Sequence, residues 1–452
     1  MRRWLWSKKA PEVPKLKLPI QQHLGMELTQ AHSVSHEIKP IQRVNLQRVL
    51  DRWAEESDVP AQNFGYTAEG YFADDGLVKY LVTDQLIQAP VERVQLECAP
   101  GEELDCIQRG LFLFRREGVP VVIAFIPRRF SQELPILEVI APTREMSKKT
   151  LTAILEQSQR DSVYKGRTLS IEQSQSWRGE LTVQFHAIRP AVREDIVLPD
   201  EIIKVVERNV LGMLKHATAL RAAGRSIRRG LLFHGPPGTG KTMVVRYLTG
   251  ACKEHTIILM VGARQGLARE ACQIARLLAP SIVVLEDVDL VAEDREHNRC
   301  QSILHELLNE MDGLGPRDEV TFLLTTNRPQ ILEPALSARP GRVDQAIAFP
   351  LPDEPCRKRL FDVYGRGLDL KAVDLGRWVT QTAGVSPAFI EELLRKAALL
   401  AAERDEAGPL LKITDGDVEN GLRELVDFGG ELTQKLLGYR TARLGLRPVN
   451  DE

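Results

Sequence analysis

The chain has 452 residues, which is enough for roughly two to four domains of ordinary size. Hydrophobic residues make up 43% and charged residues 27% of the chain, which excludes a disordered, collagen-like or disulfide-scaffold protein. The 60 Lys and Arg residues nearly balance the 62 Asp and Glu residues. The net charge of -2 excludes a molecule whose whole surface binds nucleic acid or anionic membrane.

Cysteines and apolar runs bear on the cellular compartment. The six cysteines are scattered, with no C-x-x-C pair and no Cys/His cluster at zinc spacing, so we expect reduced thiols in a cytoplasmic protein. The most apolar runs, 119–126 and 256–261, have the length of strands, far short of the roughly 20 residues that a transmembrane helix needs. The sequence therefore predicts no transmembrane segment.

The N-terminal part of the chain is predicted to contain an arm and one domain. Residues 1–40 begin with clustered cations and prolines and are expected to form a basic, flexible arm. Residues 41–195 are predicted to form an α+β domain of unknown role, in which no catalytic constellation is visible. Its predicted helices cover 41–57 and 146–159, and its predicted strands cover 91–96, 111–114, 120–126 and 182–188.

A different pattern begins near residue 196 and is predicted to form an α/β domain over 196–352. Asp200 is predicted to cap the N-terminus of its first helix. Continuously apolar strands then alternate with helices, which indicates a parallel sheet covered on both faces. The strands are predicted at 231–234, 256–261, 282–285, 320–325 and 346–349, and the helices from 240, over 267–278 and over 298–311.

All segments beyond Pro352 are predicted to be helical. Residues 353–430 are expected to form a helical subdomain, and residues 431–452 a C-terminal tail. Ser386 and Pro387 are typical of the cap and first turn of a long helix, and Thr414 or Asp415 is predicted to open another.

A glycine-rich segment lies between the predicted strand 231–234 and a helix. The glycines allow backbone N–H groups to surround phosphates, Lys241 reaches the β- and γ-phosphates, and Thr242 offers a hydroxyl to Mg²⁺. An ordinary glycine turn is the alternative, which the strand-loop-helix setting disfavours. The segment fits the phosphate-binding pattern G-x-x-x-x-G-K-[ST] with Gly235, Pro236, Pro237, Gly238, Thr239, Gly240, Lys241 and Thr242.

A second apolar strand, 281–285, ends in Glu286 and Asp287. A phosphate loop requires acidic groups at a strand end to hold Mg²⁺ and to orient water. By itself the segment could be a buried strand followed by a solvated turn. After a phosphate loop at this distance, it resembles the acidic motif called Walker B.

From about residue 198 to residue 428 the chain resembles the AAA+ ATPases, and more narrowly their AAA subfamily. The strand 320–327 resembles the one that ends in the family's sensor-1 asparagine, here Asn327. The segment 327–342 resembles the second region of homology, and Gly384 falls in a small-residue motif typical of the AAA subfamily. The resemblance implies a P-loop AAA+ core with a parallel sheet and a helical C-terminal lid, with ATP and Mg²⁺ as ligands.

The resemblance also implies roles for individual residues. Glu286 and Thr242 would hold Mg²⁺, Asp287 would polarise the attacking water, and Asn327 would help to position it. Arg339 and Arg342 would reach the ATP of a neighbouring subunit, and the alternative for them is a surface salt-bridge pair. The nucleotide would also contact Met243, directly after the loop, and Gly384.

The chain departs from the family pattern in the order of its acids and in the predicted pore segment. The acids occur as Glu286 then Asp287, whereas the family has Asp then Glu, so we expect a working but slow ATPase. The segment 259–267 has no aromatic residue, although family members that thread polypeptides place an aromatic pore loop there. His305 and Glu306 are followed by Leu-Leu-Asn, so the zinc-protease pattern H-E-x-x-H is absent and no attached protease is expected.

These observations predict a Mg²⁺-dependent ATPase that forms a homo-oligomeric ring, of six subunits by resemblance. It would remodel a protein substrate that its N-terminal domain recognises. Two alternatives remain open. One is a nucleotide-gated scaffold that binds ATP with little hydrolysis, and the other is a nucleic-acid-stimulated motor, for which only the basic arm speaks.

Overall fold

The computed structural model describes residues 14–68, 76–127, 134–173, 181–187, 189–260, 267–289, 309–311, 313, 315, 318–332, 343–404 and 410–428. The chain divides into two compact units. The first comprises Met1–Lys165 and Ser170–His186, and the second comprises Gly166–Leu169 and Ala187–Glu452. Among the described helices, none has both the length and the apolar character needed to cross a membrane.

The first unit is built on an antiparallel sheet with the strand order β1-β7-β6-β5-β2-β3, and β4 pairs with β5. Its helices are α1 (Lys17–Leu24), α2 (Arg43–Glu55), α3 (Leu77–Val82) and α4 (Arg144–Arg160). The strands of this sheet are β1 (His32–Glu37), β2 (Gln62–Ala68), β3 (Leu86–Ala89), β4 (Glu92–Ala99), β5 (Glu102–Arg116), β6 (Val119–Ile126) and β7 (Ile136–Ala141). Two further strands, β8 (Thr168–Gln173) and β9 (Leu181–Phe185), are not part of it, and the first two residues of β8 belong to the second unit.

Both faces of this sheet are covered, because successive side chains of a strand point to opposite faces. Phe112 and Phe114 of β5 pack with α2 and α4 in one apolar cluster. Leu111 and Leu113 of the same strand pack with α1 and α3 in another. The first unit is therefore a three-layer α+β structure with two cores.

The prediction of a flexible arm over residues 1–40 is wrong for residues 14–40, which the structure describes. Leu16, Ile20 and Leu24 are buried at helical spacing along α1, and β1 pairs with β7. The prolines and cations of this region obscure that apolar stripe in the sequence. Residues 1–13 lie outside the described residues.

The second unit contains a parallel sheet in which β14, β10, β13, β12 and β11 are neighbours in that order. This confirms the predicted parallel sheet. Its strands are β10 (Arg229–His234), β11 (Thr256–Met260), β12 (Ser281–Leu285), β13 (Val320–Thr326) and β14 (Gln345–Ala348). Its helices are α5 (Asp200–Glu207), α6 (Met213–Lys215), α7 (Ala217–Ala222), α8 (Lys241–Ala251) and α9 (Ala268–Leu277).

Asp200 does not cap α5 as predicted. Pro199 occupies the N-cap position, and Asp200 is the first helical residue. There its negative charge interacts favourably with the positive end of the helix dipole. A π-helical segment, Arg208–Gly212, continues this helix into α6. Of the helix predicted over 298–311, only 309–311 are described.

The C-terminal part of the second unit is a lid made of α10 (Glu354–Tyr364), α11 (Leu375–Gln381), α12 (Pro387–Arg404) and α13 (Asp415–Arg423). The all-helical prediction is wrong here, because β15 (Leu368–Ala372) and β16 (Leu411–Thr414) form a small parallel sheet. Trp378 and Phe389 lie in the centre of the lid core. The predicted caps are confirmed: Ser386 Oγ accepts from Phe389 N at 3.2 Å, and Thr414 caps α13.

Candidate functional site

The predicted phosphate loop connects β10 to α8, and its backbone requires glycine. Gly235, Gly238 and Gly240 have φ values of 155°, 72° and 91°. A Cβ on Gly235 would lie 2.2 Å from the carbonyl oxygen of Phe349, just beyond β14. The start of the loop therefore packs against a neighbouring main chain that leaves no room for a side chain.

The middle of the loop contacts the lid. Ala388 N, in the first turn of α12, donates to Gly238 O at 3.2 Å. A Cβ on Gly238 would lie 2.8 Å from Ala388 Cβ and 2.9 Å from Ser386 Oγ. The lid thus sits directly on the loop, at a position where only the absence of a side chain permits the contact.

Lys241 is buried at the start of α8, with 6% of its surface exposed. Its Nζ donates to the carbonyl oxygens of Gly235 and Pro236, both at 2.8 Å. Burial lowers the pKa of Lys241 to about 8, and the carboxylates of Asp287 and Asp289 partly oppose this shift. The ammonium therefore lies inside the loop and close to negative charge.

The two acids after β12 have different partners. Glu286 accepts a hydrogen bond from the Thr242 hydroxyl, and burial raises its pKa. Asp287 Oδ1 accepts from Asn327 Nδ2 at 3.1 Å, and the pKa of Asp287 is raised by burial and by the neighbouring Asp289 carboxylate. The φ of Asp287 is 50°, which is uncommon for a residue other than glycine.

Three residues around these acids are not predicted from the sequence. Thr325 Oγ1 accepts from Asp287 N at 3.0 Å. Asp289 Oδ1 accepts from Thr326 Oγ1 at 2.8 Å and from Asn327 N at 3.1 Å. The available signal was weak: Asp289 is a third acid shortly after the apolar strand, and Thr325 and Thr326 precede Asn327 directly.

These elements surround a cleft of about 330 Å³ within the second unit. Its lining combines the polar groups of the phosphate loop with an apolar wall that contains Leu198 and Leu360. Such a mixture suits a ligand with one charged and one flat apolar end. The cleft is lined by Asp195, Ile196, Val197, Leu198, Pro237, Gly238, Thr239, Gly240, Lys241, Thr242, Met243, Val244, Asp287, Asn327, Leu360, Tyr364, Pro387, Ala388 and Glu391.

Most of the predicted site residues meet here. Residues 237–242 of the loop, Met243, Asp287 and Asn327 line the cleft, and Glu286 joins it through Thr242. Gly235 and Pro236 do not line it, and their carbonyl oxygens accept from Lys241 Nζ. Gly384 lies two residues before Ser386 with a φ of 82° and does not line the cleft, whereas Leu360, Tyr364, Pro387, Ala388 and Glu391 of the lid do. Arg339 and Arg342 lie outside the described residues.

The donor atoms near Thr242 suit magnesium. Its hydroxyl and the Glu286 carboxylate are hard oxygen ligands in direct contact. Mg²⁺ usually takes only one or two protein ligands, together with phosphate oxygens and water. Within the described ranges, no group of three or more His, Cys, Asp and Glu side chains could hold a metal by itself. A Mg²⁺ site that is completed by phosphate oxygens and water does not require such a group.

Comparison with protein-family models gives one match to the second unit. The AAA model, described as the ATPase family associated with various cellular activities, matches residues 231–351. The matched residues contain the loop, both acids and Asn327. The chain carries an AAA+ ATPase domain of the AAA subfamily.

The chain is also similar to curated proteins over a longer stretch than the matched AAA model. An ATP-dependent zinc metalloprotease FtsH of Nitrosococcus oceani is 33% identical over 254 residues, which cover 51% of this chain and 39% of the relative. FtsH 1 of Sorangium cellulosum is 34% identical over 259 residues, which cover 53% of this chain and 38% of the relative. FtsH 4 of Sphaerobacter thermophilus is 31% identical over 300 residues, which cover 62% of this chain and 43% of the relative. The chain thus spans about two fifths of the length of these relatives.

The lowered pKa of Lys241 predicts pH-dependent ATP affinity. In the free protein the side chain loses its proton above about pH 8, whereas the bound phosphates favour the protonated form. The Kd for ATP should therefore rise about tenfold between about pH 7 and about pH 9, as measured by calorimetry. The Lys241→Arg variant is the control, since its guanidinium stays charged. An equal pH dependence in this variant would contradict the assignment to Lys241.

The contact between loop and lid predicts different costs for two glycine substitutions. Gly238→Ala and Gly240→Ala both place a side chain at positive φ, but only Gly238→Ala meets lid atoms. The extra overlap should lower stability by about 1 to 3 kcal/mol more than the strain shared by both variants. Thermal unfolding of the two proteins measures the difference. Equal melting temperatures would show that the lid does not rest on the loop.

Proposed function

We propose that the chain is a Mg²⁺-dependent ATPase that acts as a ring of identical subunits and couples hydrolysis to the remodelling of a protein substrate. The observation that carries this proposal is the meeting of four parts in one cleft: the phosphate loop, Asp287, Asn327 and the first turn of the lid helix α12.

ATP would bind with its phosphates in the loop and its base against the apolar wall. The loop N–H groups and the N-terminus of α8 favour negative charge. Lys241 would exchange the carbonyl oxygens of Gly235 and Pro236 for phosphate oxygens, which relieves the cost of its burial. Leu198 and Leu360 lie in the wall that would receive the base.

For hydrolysis, Asp287 would take the proton of the attacking water. Asn327 holds the Asp287 carboxylate through its side-chain amide, and thereby fixes its direction. Mg²⁺, held by Thr242 and Glu286, would neutralise charge on the transferring phosphoryl group. The separate partners of the two acids support this division of roles, even though their order is reversed relative to the family.

The lid could couple ATP binding and hydrolysis to movement. Ala388 N donates a hydrogen bond to Gly238 O in the loop, and Leu360 and Tyr364 of α10 line the same cleft. A nucleotide in the cleft would contact the sheet and the lid at once, so the loss of a phosphate would change the contacts between them. A remodelling machine requires this kind of coupling.

Substrate recognition is assigned to the first unit, where the sequence shows no catalytic constellation. The FtsH relatives are named as zinc metalloproteases. We do not extend protease activity to this chain, because its sequence contains no H-E-x-x-H segment.

Two substitutions separate binding from hydrolysis. Lys241→Ala should abolish ATP binding, because it removes the buried cation from the loop. Asp287→Asn should keep the Kd for ATP within about threefold but lower kcat by at least about a hundredfold, since it removes the general base. Fluorescence titration and phosphate release measure the two quantities.

Asp362→Asn is the matched control, since this exposed carboxylate lies on α10 and does not line the cleft. Wild-type turnover in Asp287→Asn would rule out Asp287 as the base. A wild-type protein that binds ATP tightly without turnover would instead favour a nucleotide-gated scaffold.

The arginines define a test of the ring. Arg339→Ala and Arg342→Ala should each bind ATP normally and hydrolyse it slowly, because a guanidinium supplied by a neighbour stabilises the charge of the transition state. Mixing Arg342→Ala with Asp287→Asn should restore hydrolysis. An Asp287→Asn subunit still has Arg342, which can reach the ATP of a neighbouring Arg342→Ala subunit whose Glu286 and Asp287 are intact. A mixture no more active than its two components would contradict action between subunits.

A further inference from the structure

We propose that Asp289 is a positioning residue for hydrolysis: it fixes the main chain at Thr326 and Asn327 and thereby holds the Asn327 side chain on Asp287. This inference rests on the proposed ATPase function and deepens it. Asp289 itself does not line the cleft, so it acts through other residues.

The first observation is burial. Asp289 is 3% exposed and Thr326 is fully buried. A buried carboxylate is costly unless donors satisfy it. One oxygen of Asp289 receives two donors, the Thr326 hydroxyl at 2.8 Å and the Asn327 N–H at 3.1 Å.

The second observation is the place where the strand ladder ends. The register between β12 and β13 ends at the pair Leu285 and Leu324. Beyond this pair, Thr325 and Thr326 remain paired with Phe233 and His234 of β10, but no ladder partner holds β13 on its β12 side. On that side the bonds to Asp289 hold Thr326 and Asn327, and the Asp287 N–H holds Thr325.

The third observation is the number of site elements that meet at Thr326. Its hydroxyl donates to Asp289 and accepts from Arg328 N at 3.0 Å. Its carbonyl oxygen accepts from Gly235 N, at the start of the phosphate loop, at 3.3 Å. One threonine thus connects the acidic strand end, the turn that carries Asn327 and the loop.

These contacts predict an effect on the rate of the chemical step. If Asp289 is removed, the turn can shift while the phosphate loop keeps its glycines and Lys241. A displacement of about 1 Å at a group that orients reactants can cost about a hundredfold in rate. A residue that only stabilised the fold would lower the melting temperature without separating kcat from ATP affinity.

The test uses three threonine variants. Thr326→Val keeps the shape but removes the hydroxyl, Thr326→Ser keeps the hydroxyl, and Thr321→Val makes the same change at the other end of buried strand β13. Thr326→Val should lower kcat about tenfold to a hundredfold with the Kd for ATP within about threefold. Thr326→Ser should recover most of the wild-type kcat, and Thr321→Val should match wild type.

Two carboxylate variants test the same contact from the other side. Asp289→Ala removes the acceptor and should behave like Thr326→Val. Asp289→Asn keeps an oxygen acceptor of nearly the same shape and should retain more activity. The inference is overturned if Thr326→Val and Thr321→Val have equal kcat, or if Ser and Val at position 326 are equally impaired.

A crystal structure of Thr326→Val provides a readout that does not depend on turnover. The inference predicts that the 3.1 Å hydrogen bond from Asn327 Nδ2 to Asp287 Oδ1 is lost in the variant. An unchanged bond would overturn it. A wild-type protein that binds ATP but does not hydrolyse it would refute the proposed ATPase function, and the variant structure would still decide whether Asp289 positions Asn327.

Discussion

The candidate site depends on main-chain hydrogen bonds that hold the phosphate loop from several sides. Gly235 N donates to Thr326 O at 3.3 Å, and Ala388 N donates to Gly238 O at 3.2 Å. Phe349 N, after β14, donates to His234 O at 2.7 Å, directly before the loop. The loop is therefore a junction between two neighbouring strands and the lid. Gly235 and Gly238 are required because the neighbouring chains come too close for side chains.

Burial of charge is the second constraint on the site. Lys241 is disfavoured as an ammonium, and Glu286 and Asp287 are disfavoured as carboxylates, because each lies partly out of water. Opposite charges nearby offset only part of this cost. Phosphates beside Lys241 and a divalent cation beside Glu286 would offset more of it. The groups whose charged forms are disfavoured by burial, Lys241, Glu286 and Asp287, are those expected to contact the ligand or its metal ion. Such shifted pKa values are common at functional sites.

The sequence predicts the parts of the site that follow local rules. The loop pattern, the apolar strands and the acids at the end of β12 are visible because glycine spacing and continuous apolar runs have direct structural meaning. Asp289 is not visible in this way, since its role depends on which hydroxyl and which N–H lie beside it after folding. The hydrogen bond from Ala388 N to Gly238 O is likewise not visible in the sequence, because it joins residues 150 positions apart.

The errors in the fold have similar physical causes. The strands β15 and β16 have five and four residues and are only partly buried, so their sequences lack the pattern of a central strand. Helix α1 buries Ile20 and Leu24, next to the buried Leu16 at its N-cap, but this apolar stripe is interrupted by charged and polar residues. In both places tertiary packing decides the structure where local pattern is weak.

The most direct test of the account is a crystal structure with Mg²⁺ and a non-hydrolysable ATP analogue. The account predicts that the phosphates lie in the loop, with Lys241 Nζ moved from the carbonyl oxygens of Gly235 and Pro236 to phosphate oxygens. It also predicts that Asp287 and Asn327 face the terminal phosphate. A nucleotide bound elsewhere, or a Lys241 that keeps both carbonyl contacts beside bound phosphates, would contradict it.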